Sequence, residues 1–231
     1  MTSVLKCVLA SAALLSFACI SQAELYARGG GMVYDSTQNI SWLSDWNYAV
    51  TTDYKAPGYF GYPGRMSLEV AEHWAASLSV GGFHDWRLPT SNVGPGSGCS
   101  TTLDPGHGLS LRYEGFNCVG SEIGHLFYVD FGGNAGASIL AGSNKANIPL
   151  FSDVQFPYYW TSTRLEGNPA SAWRFYTSTG YQTIDFTDNA LHAVAVRDGD
   201  VSGVPEAGSL ILMLGGIGLF IGLGIGRTVN S

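Results

Sequence analysis

Hydrophobic residues at spacings of three and four predict two helices in the domain. The first begins after Ser67, a good N-cap residue, and runs to about Leu78. The apolar residues of this helix form one stripe that is expected to pack against the core: Val70, Ala71, Trp74, Ala75 and Leu78. A second, shorter helix is predicted to start at Ser121. Its inward-facing residues are Ile123, Leu126 and Phe127.

Short runs of apolar residues, several of them alternating with polar ones, predict strands on both sides of these helices. Two strands, at 32–34 and 40–43, flank a turn at 35–39. Four further strands follow Pro149, at 158–163, 172–176, 181–186 and 193–197. Turn-forming Gly, Asn and Asp residues separate them, so we expect an antiparallel meander. Helices followed by a meander predict an α+β fold.

Both ends of the chain carry apolar segments without this periodicity. Residues 1–23 predict a signal peptide that is cleaved after Ala23. A lipoprotein with a lipidated Cys19 is an alternative, but the residues before it fit a lipobox poorly. Residues 210–226 are apolar on every side, which predicts a transmembrane helix followed by a short cytoplasmic tail at 227–231. One domain at 24–200 and a linker at 201–209 lie between these segments.

The linker carries a motif that resembles a known sorting signal. Val204, Pro205 and Glu206 precede the apolar segment, and Arg227 follows it. This order is similar to the PEP-CTERM signal of Gram-negative bacteria, although Ala207 stands where a second proline is usual. The resemblance implies export, tethering to the inner membrane through residues 210–226, and processing by an exosortase-type enzyme. We therefore expect a membrane-anchored protein that reaches the cell surface or the medium after processing.

Composition and cysteine usage restrict the class of protein. Charged residues make up only 13% of the chain, which contains 31 Gly, 12 Tyr and 6 Trp. This favours a loop-rich fold packed by aromatic rings. The net charge of −7 argues against binding to nucleic acid. Signal removal leaves only Cys99 and Cys118, which predict a disulfide in an exported protein. Such a bridge should stabilise the fold by about 3 kcal/mol.

An ordered set of motifs in the domain resembles one bacterial family. Residues 81–90 read Gly-Gly-Phe-His-Asp-Trp-Arg-Leu-Pro-Thr and follow the first helix. Aromatic segments at 159–163 and 172–175 and a closing Ala-Val-Ala-Val-Arg at 193–197 complete the order. This order is similar to the Lcl C-terminal-domain family of exported bacterial proteins, a domain of unknown function. The resemblance implies a C-type-lectin-like fold, with two helices packed on a twisted antiparallel sheet with long loops, and an adhesin-like role.

Within these motifs, the aromatic and charged residues suggest structural roles. We expect Trp86 and Trp160 to insert into the core and Pro89 to end an extended stretch. Arg87 should pair with a carboxylate or with backbone carbonyls, and Arg197 should do the same. The alternative is that Arg87 lines a ligand site.

Catalytic and metal-binding patterns are weak in this sequence. Glu69 with His73 and Glu122 with His125 differ in spacing, so we interpret them as solvated helix faces and not as a metal site. Two polar clusters could supply oxygen ligands for calcium, but we interpret both as ordinary turns. They are Asp185 with Asp188 and Asn189, and Glu166 with Asn168. Because no catalytic signature is present, we expect neither an enzyme nor a cofactor.

The excess of loop tyrosines suggests a binding function. Aromatic rings stack on sugar faces, so we expect a non-enzymatic domain that binds extracellular glycan or matrix material. The candidate ligand-binding residues are Tyr48, Tyr54, Tyr59, Tyr62, Tyr158 and Tyr159. One alternative is that these rings fill a charge-poor core, in a structural envelope or biofilm-matrix protein without a specific ligand. An enzyme is a weaker alternative.

Overall fold

The structure, a computed structural model, is mostly β. It describes residues 24–55, 62–104, 106 and 110–201. Strand accounts for 32% of it and helix for 17%. The prediction of an α+β, C-type-lectin-like fold with two packed helices is therefore wrong. In the described part of the chain, only α2 (Leu68–Ser77) exceeds five residues, while α1 (Tyr48–Thr51) and α3 (Glu122–His125) each form about one turn.

Helix α2 is the one regular helix that the sequence pattern located correctly. Ser67 occupies its N-cap position with extended backbone angles, although its side chain makes no capping hydrogen bond. Ala71, Trp74 and Ala75 are fully buried, as the apolar stripe predicts. The second predicted helix begins where the sequence places it, after Ser121, and its inward-facing residues Ile123, Leu126 and Phe127 are fully buried. It is a regular α-helix only over α3, because the chain continues at once as a π-helix, Leu126–Asp130.

A four-stranded antiparallel sheet contains both ends of the described domain. Its strands are β1 (Leu25–Arg28), β2 (Met32–Asp35), β3 (Ile40–Leu43) and β11 (Val196–Asp198), in the order β1-β2-β3-β11. The hairpin of β2 and β3, which pairs Val33 with Trp42, agrees with the two strands predicted for this region.

A five-stranded sheet forms the other half of the domain. Its order is β4-β10-β7-β8-β9. The ranges are β4 (Arg65–Met66), β7 (Tyr158–Leu165), β8 (Asn168–Tyr176), β9 (Gln182–Phe186) and β10 (Leu191–His192). Strands β7 to β9 form the predicted antiparallel meander. The fourth predicted strand is wrong, because β10 pairs with β7 and β4 while β11 joins the other sheet.

The segment between β10 and β11 explains why the predicted fourth strand is absent from the meander. Residues 193–196 are all buried. Ala193 and Ala195 pack into one hydrophobic cluster, whereas Val194 and Val196 pack into another. Alternate side chains of this segment therefore point into two different cores. The chain crosses from the five-stranded sheet to the four-stranded sheet along this segment.

Aromatic rings fill these two cores. All six tryptophans are at most 2% exposed: Trp42, Trp46, Trp74, Trp86, Trp160 and Trp173. The first core surrounds α2, and there the indole N–H of Trp160 donates to the carbonyl of Met66 at 2.9 Å. The second core contains the stacked rings of Trp42 and Trp46, with centroids 5.8 Å apart. All six tryptophans are thus buried inside the protein and are not displayed on its surface.

The 81–90 motif links α2 to both sheets. Gly81 has a φ of +62°, and a Cβ there would lie 2.4 Å from Cε of Met32, so the turn requires glycine. Trp86 is buried in the first core. Pro89 is also buried, and its carbonyl accepts the N–H of Ser162 at 2.8 Å.

The disulfide prediction is confirmed. Cys99 and Cys118 are bonded, with their Cα atoms 4.1 Å apart. The bridge joins the chain on either side of a small hairpin, β5 (Thr101–Leu103) and β6 (Arg112–Glu114), which forms a two-stranded sheet of its own. It therefore ties down a segment that has few apolar residues.

The predicted membrane anchor has no counterpart in this fold. Across the described ranges, no helix has both the length and the apolar character needed to cross a bilayer. This finding contradicts the predicted anchoring and the localisation built on it. The signal segment 1–23 with Ala23, the motif at Val204, Pro205 and Glu206, and residues 210–226 lie outside the described residues.

Candidate ligand-binding cleft

A cleft of about 750 Å³ opens beside the edge strand β9. Its floor is formed by four residues of the β8–β9 ribbon, Ser171, Trp173, Ile184 and Phe186. Ser171 pairs with Phe186 and Trp173 pairs with Ile184 across the two strands. Because residues two apart share one face of a strand, these four lie on one face of the ribbon.

One wall of the cleft belongs to the β5–β6 hairpin and the chain just before β6. Leu111, Arg112 and Tyr113 lie along it. Gly115, directly after β6, exchanges two backbone hydrogen bonds with Gln182 of β9, at 2.8 and 2.9 Å. A Cβ at Gly115 would lie 2.6 Å from Oγ of Ser100, so the close approach depends on glycine. These bonds and the disulfide hold the wall against the sheet.

The opposite wall is the turn between β7 and β8, which supplies polar groups. Glu166 is exposed and forms no salt bridge with any described residue. The Asn168 side chain accepts the N–H of Ala170 and donates to Oγ of Ser171 at 3.3 Å. Asn168 is thereby oriented at the rim of the floor.

Arg112 faces this turn across the cleft and is also unpaired. Its Nε atom is buried but has no hydrogen-bond partner among the described residues. It forms no salt bridge within that same set of residues. Buried donors are normally satisfied. A ligand with oxygen acceptors could therefore bind the Arg112 guanidinium without displacing an existing salt bridge.

The cleft therefore combines an apolar floor with a few polar groups at its walls. Phe186 is 63% exposed, which is unusual for a phenylalanine, and Leu111 is 46% exposed. Trp173 is almost completely buried and forms the base of the floor. An apolar surface with a few placed hydrogen-bonding groups is the usual composition of a small-molecule site.

The tyrosines predicted to bind ligand do not line this cleft. Tyr159 is completely buried, and its hydroxyl donates to the carbonyl of Trp46 and accepts the N–H of Gln155. Burial raises the pKa of Tyr159 far above its usual value. Tyr48 and Tyr54 are half-buried against the first core.

The remaining predicted tyrosines are dispersed. Tyr62 is 59% exposed, with the guanidinium of Arg65 5.0 Å from the centre of its ring. Tyr158 is half-buried, and its ring packs against the guanidinium of Arg174 at 4.4 Å. Tyr59 lies outside the described residues. Of the five that the structure describes, only Tyr62 is exposed, so they do not form a common platform.

Tyr158 instead borders a second, smaller pocket of about 420 Å³, which also contains Asp185, Asp188 and Asn189, the polar cluster interpreted from the sequence as an ordinary turn. The Asp185 carboxylate pairs with Arg174 and also accepts hydrogen bonds from the backbone of Phe186 and the side chain of Asn189. Because a guanidinium already neutralises this carboxylate, the cluster is poorly suited to a cation.

Both motif arginines have carboxylate partners. Arg87 binds Glu122 through two hydrogen bonds and also contacts Asp198. Arg197 binds Asp85 through two hydrogen bonds of 2.8 and 2.9 Å, and its guanidinium lies 4.0 Å from the ring centre of Phe83. Neither arginine lines the 750 Å³ cleft.

The sequence contains one signal for the cleft that the tyrosine-based prediction overlooked. The predicted strand 181–186 places the large side chains of Ile184 and Phe186 at alternate positions, and the predicted strand 172–176 contributes Trp173 close to the polar turn at 166–168. Recognising the site also requires the hairpin wall, which comes from a distant part of the chain. Comparisons with protein-family models, characterised proteins and solved structures give no match. The resemblance to the Lcl C-terminal domain therefore stays a prediction.

Proposed function

We propose that the domain is a non-enzymatic module that binds carbohydrate in the cleft beside β9. One observation carries the proposal: exposed Phe186 lies in the same cleft as the unpaired side chains of Arg112 and Glu166. A sugar ring has an apolar face that stacks on an aromatic side chain and hydroxyls that bond to charged groups. The cleft offers both kinds of contact within one volume.

The size of the cleft is consistent with a short oligosaccharide segment. Binding sites for drug-sized ligands occupy about 300–1,000 Å³, and this cleft lies inside that range. Arg112 can donate to hydroxyl or carboxylate oxygens, and Glu166 can accept from hydroxyls. The disulfide also fits this role, since such bonds are typical of proteins that fold in an oxidising compartment.

A structural protein without a specific ligand is the second candidate. The observation that favours it is the burial of all six tryptophans, together with the dispersion of the tyrosines. In that case, the cleft would be a surface feature without a ligand. The two candidates differ in one measurable property, which is saturable binding of sugar.

The test is binding of the purified protein to an array of neutral and uronic-acid-containing oligosaccharides, followed by titration calorimetry with the best hexasaccharide. We expect Phe186→Ala and Glu166→Gln each to weaken binding at least about 10-fold, because each removes a contact of about 1.4 kcal/mol or more. Tyr62→Ala is the matched control, since it removes a similarly exposed ring outside the cleft. Absence of binding on the array, or equal loss in Tyr62→Ala, would reject the proposal.

A further inference from the structure

A buried cluster of two carboxylates and one imidazole lies away from the cleft. Asp35 ends β2, His125 ends α3, and Asp130 ends the π-helix. One ligand atom from each residue lies within 4.8 Å of the other two. Both aspartates are at most 1% exposed, and the His125 side chain is 17% exposed.

The carboxylate of Asp130 is the unusual group in this cluster. Neither of its oxygens has a hydrogen-bond donor among the described residues, although its side chain is completely buried. Leaving a charged group in this condition costs several kcal/mol. Its nearest imidazole atom, Nε2 of His125, lies 3.8 Å away and is itself buried without a partner. Two buried polar groups without hydrogen-bond partners in the described chain, the Asp130 carboxylate and Nε2 of His125, thus face each other.

Asp35 brings a second negative charge to the same place. Its carboxylate accepts the backbone N–H groups of Thr37 and Gln38, both at 2.9 Å, and the side-chain amide of Gln38 at 2.7 Å. No arginine or lysine of the described chain forms a salt bridge with Asp35 or Asp130. Facing buried carboxylates need either a shared proton or a cation between them.

The π-helix is what brings His125 and Asp130 together. Five residues of ordinary α-helix would place their side chains about 140° apart around the axis. The wider turn, with the N–H of Phe131 bonded to the carbonyl of Leu126, brings positions five apart onto one side. Asn144 and Asn147 donate to the Asp130 carbonyl at 3.0 and 2.8 Å and hold the end of this turn.

We propose that Asp35, His125 and Asp130 form a binding site for a divalent transition-metal ion, best matched by Zn²⁺. Two carboxylates neutralise a doubly charged ion, which removes the cost of burying both. Imidazole nitrogen with carboxylate oxygen is a ligand set that zinc accepts, whereas calcium requires six to eight oxygens. Tetrahedral zinc places its ligand atoms about 3.3 Å apart, so the three ligand atoms, which lie within 4.8 Å of one another and are 3.8 Å apart in the His125–Asp130 pair, must move closer together when the ion binds.

Burial gives this site a structural role. Since both aspartates are closed off from solvent, the ion would join the end of β2 to the α3 segment. Three protein ligands leave one position of a tetrahedral zinc ion for a water molecule or another oxygen. Gln38 already makes the same connection, because its side chain donates to Asp35 and to the Glu122 carbonyl. The metal would strengthen this link beside the second core.

The alternative is a proton shared by the two aspartates. Burial, together with the charge of Asp35, raises the pKa of Asp130 to about 8 when no ion is present. A shared proton would satisfy the same oxygens without any metal. Metal stoichiometry distinguishes the two cases.

The experiment uses the full-length protein after dialysis against a chelator. Zn²⁺, Mn²⁺ and Ca²⁺ are titrated separately at pH 7 by calorimetry, and bound metal is counted by mass spectrometry. We expect one Zn²⁺ per chain, weaker Mn²⁺ binding, no Ca²⁺ binding and a melting temperature that rises by several degrees with Zn²⁺. Asp130→Asn and His125→Gln should each lower Zn²⁺ affinity at least about 100-fold.

Two variants test whether Zn²⁺ binds at this site. Asp130→Asn keeps the size of the side chain but removes a metal ligand, so its melting temperature should no longer respond to Zn²⁺. His73→Gln, on the exposed face of α2, is the matched control and should retain one Zn²⁺. Wild-type protein that binds no Zn²⁺, Asp130→Asn that binds it equally well, or loss of binding in His73→Gln would each overturn the proposal.

Discussion

The guanidinium of Arg87 and the carboxylate of Glu122 are joined by two hydrogen bonds of 2.8 and 2.9 Å. The same carboxylate accepts the N–H of Thr90, and the Arg87 backbone exchanges two hydrogen bonds of 2.8 Å with Val196. One ion pair therefore connects the 81–90 motif, the start of α3 and the last strand. We assign Arg87 to the architecture of the domain and not to a ligand site.

Glu122→Gln should destabilise the domain by about 2 kcal/mol. The change leaves the Arg87 guanidinium without its main counter-ion, but exposed Asp198 still contacts it, which keeps the loss below that of a fully buried pair. Urea denaturation measures this loss. The control is Glu72→Gln, which breaks the more exposed pair with Arg164 and should cost less than about 1 kcal/mol. Equal losses would contradict the structural role of Arg87.

Two aromatic residues should respond to truncation in opposite ways. Trp160→Ala removes a fully buried ring and its hydrogen bond to Met66, and should cost about 3–5 kcal/mol. Phe186→Ala removes an exposed ring and should change stability by less than about 0.5 kcal/mol. Thermal melting followed by circular dichroism compares them. A large loss in Phe186→Ala would mean that this ring supports the fold, and its use as a binding probe would fail.

Replacing both Cys99 and Cys118 by Ser should lower the free energy of unfolding by about 3 kcal/mol, because the unfolded chain is no longer restricted. Since the bridge holds the hairpin wall, binding of any cleft ligand should weaken as well. Urea denaturation of the wild type with and without a reductant provides the comparison. We expect the double variant and the reduced wild type to be equally stable, and both to be less stable than the oxidised wild type. Equal stability of the oxidised and reduced wild type would contradict this prediction.

His192 should make stability depend on pH. It is buried, and its Nε2 accepts the Nε–H of Arg65 at 3.1 Å. Burial, helped by the charge of Arg65, lowers the pKa of His192 from 6.5 to about 4. Between these two values the unfolded chain binds a proton that the folded protein does not. Stability therefore rises with pH across this window and is lost as pH falls from 6.5 towards 4, by about 3 kcal/mol in total.

The measurement is urea denaturation at a series of pH values for the wild type and for His192→Gln. The glutamine variant has no titrating group at this position, so its stability should fall less steeply between pH 6.5 and 4. Carboxylates titrate in both proteins, so the difference between the two curves isolates His192. Parallel curves would show that His192 makes no contribution.

Patterns within short stretches were sufficient to predict several elements of this domain. Helix α2, the β2–β3 hairpin and the β7–β9 meander each depend on residues that are close in the chain, so periodicity and turn residues identify them. The Cys99–Cys118 bond was predicted from the two cysteines that remain when the predicted signal segment is removed from an exported protein. These features are properties of local sequence.

Tertiary structure determined which side chains are buried and which of them form a site, because burial depends on which distant segments of the chain come into contact. Adjacent Tyr158 and Tyr159 look alike in sequence, yet Tyr159 is completely buried while Tyr158 packs against Arg174 at a pocket edge. The segment 193–196 reads as one strand but lies between two cores. The cleft and the Asp35 cluster likewise combine residues from separate parts of the chain, which no local pattern relates. Local patterns thus predicted individual elements, whereas long-range packing determined which side chains remain available to bind.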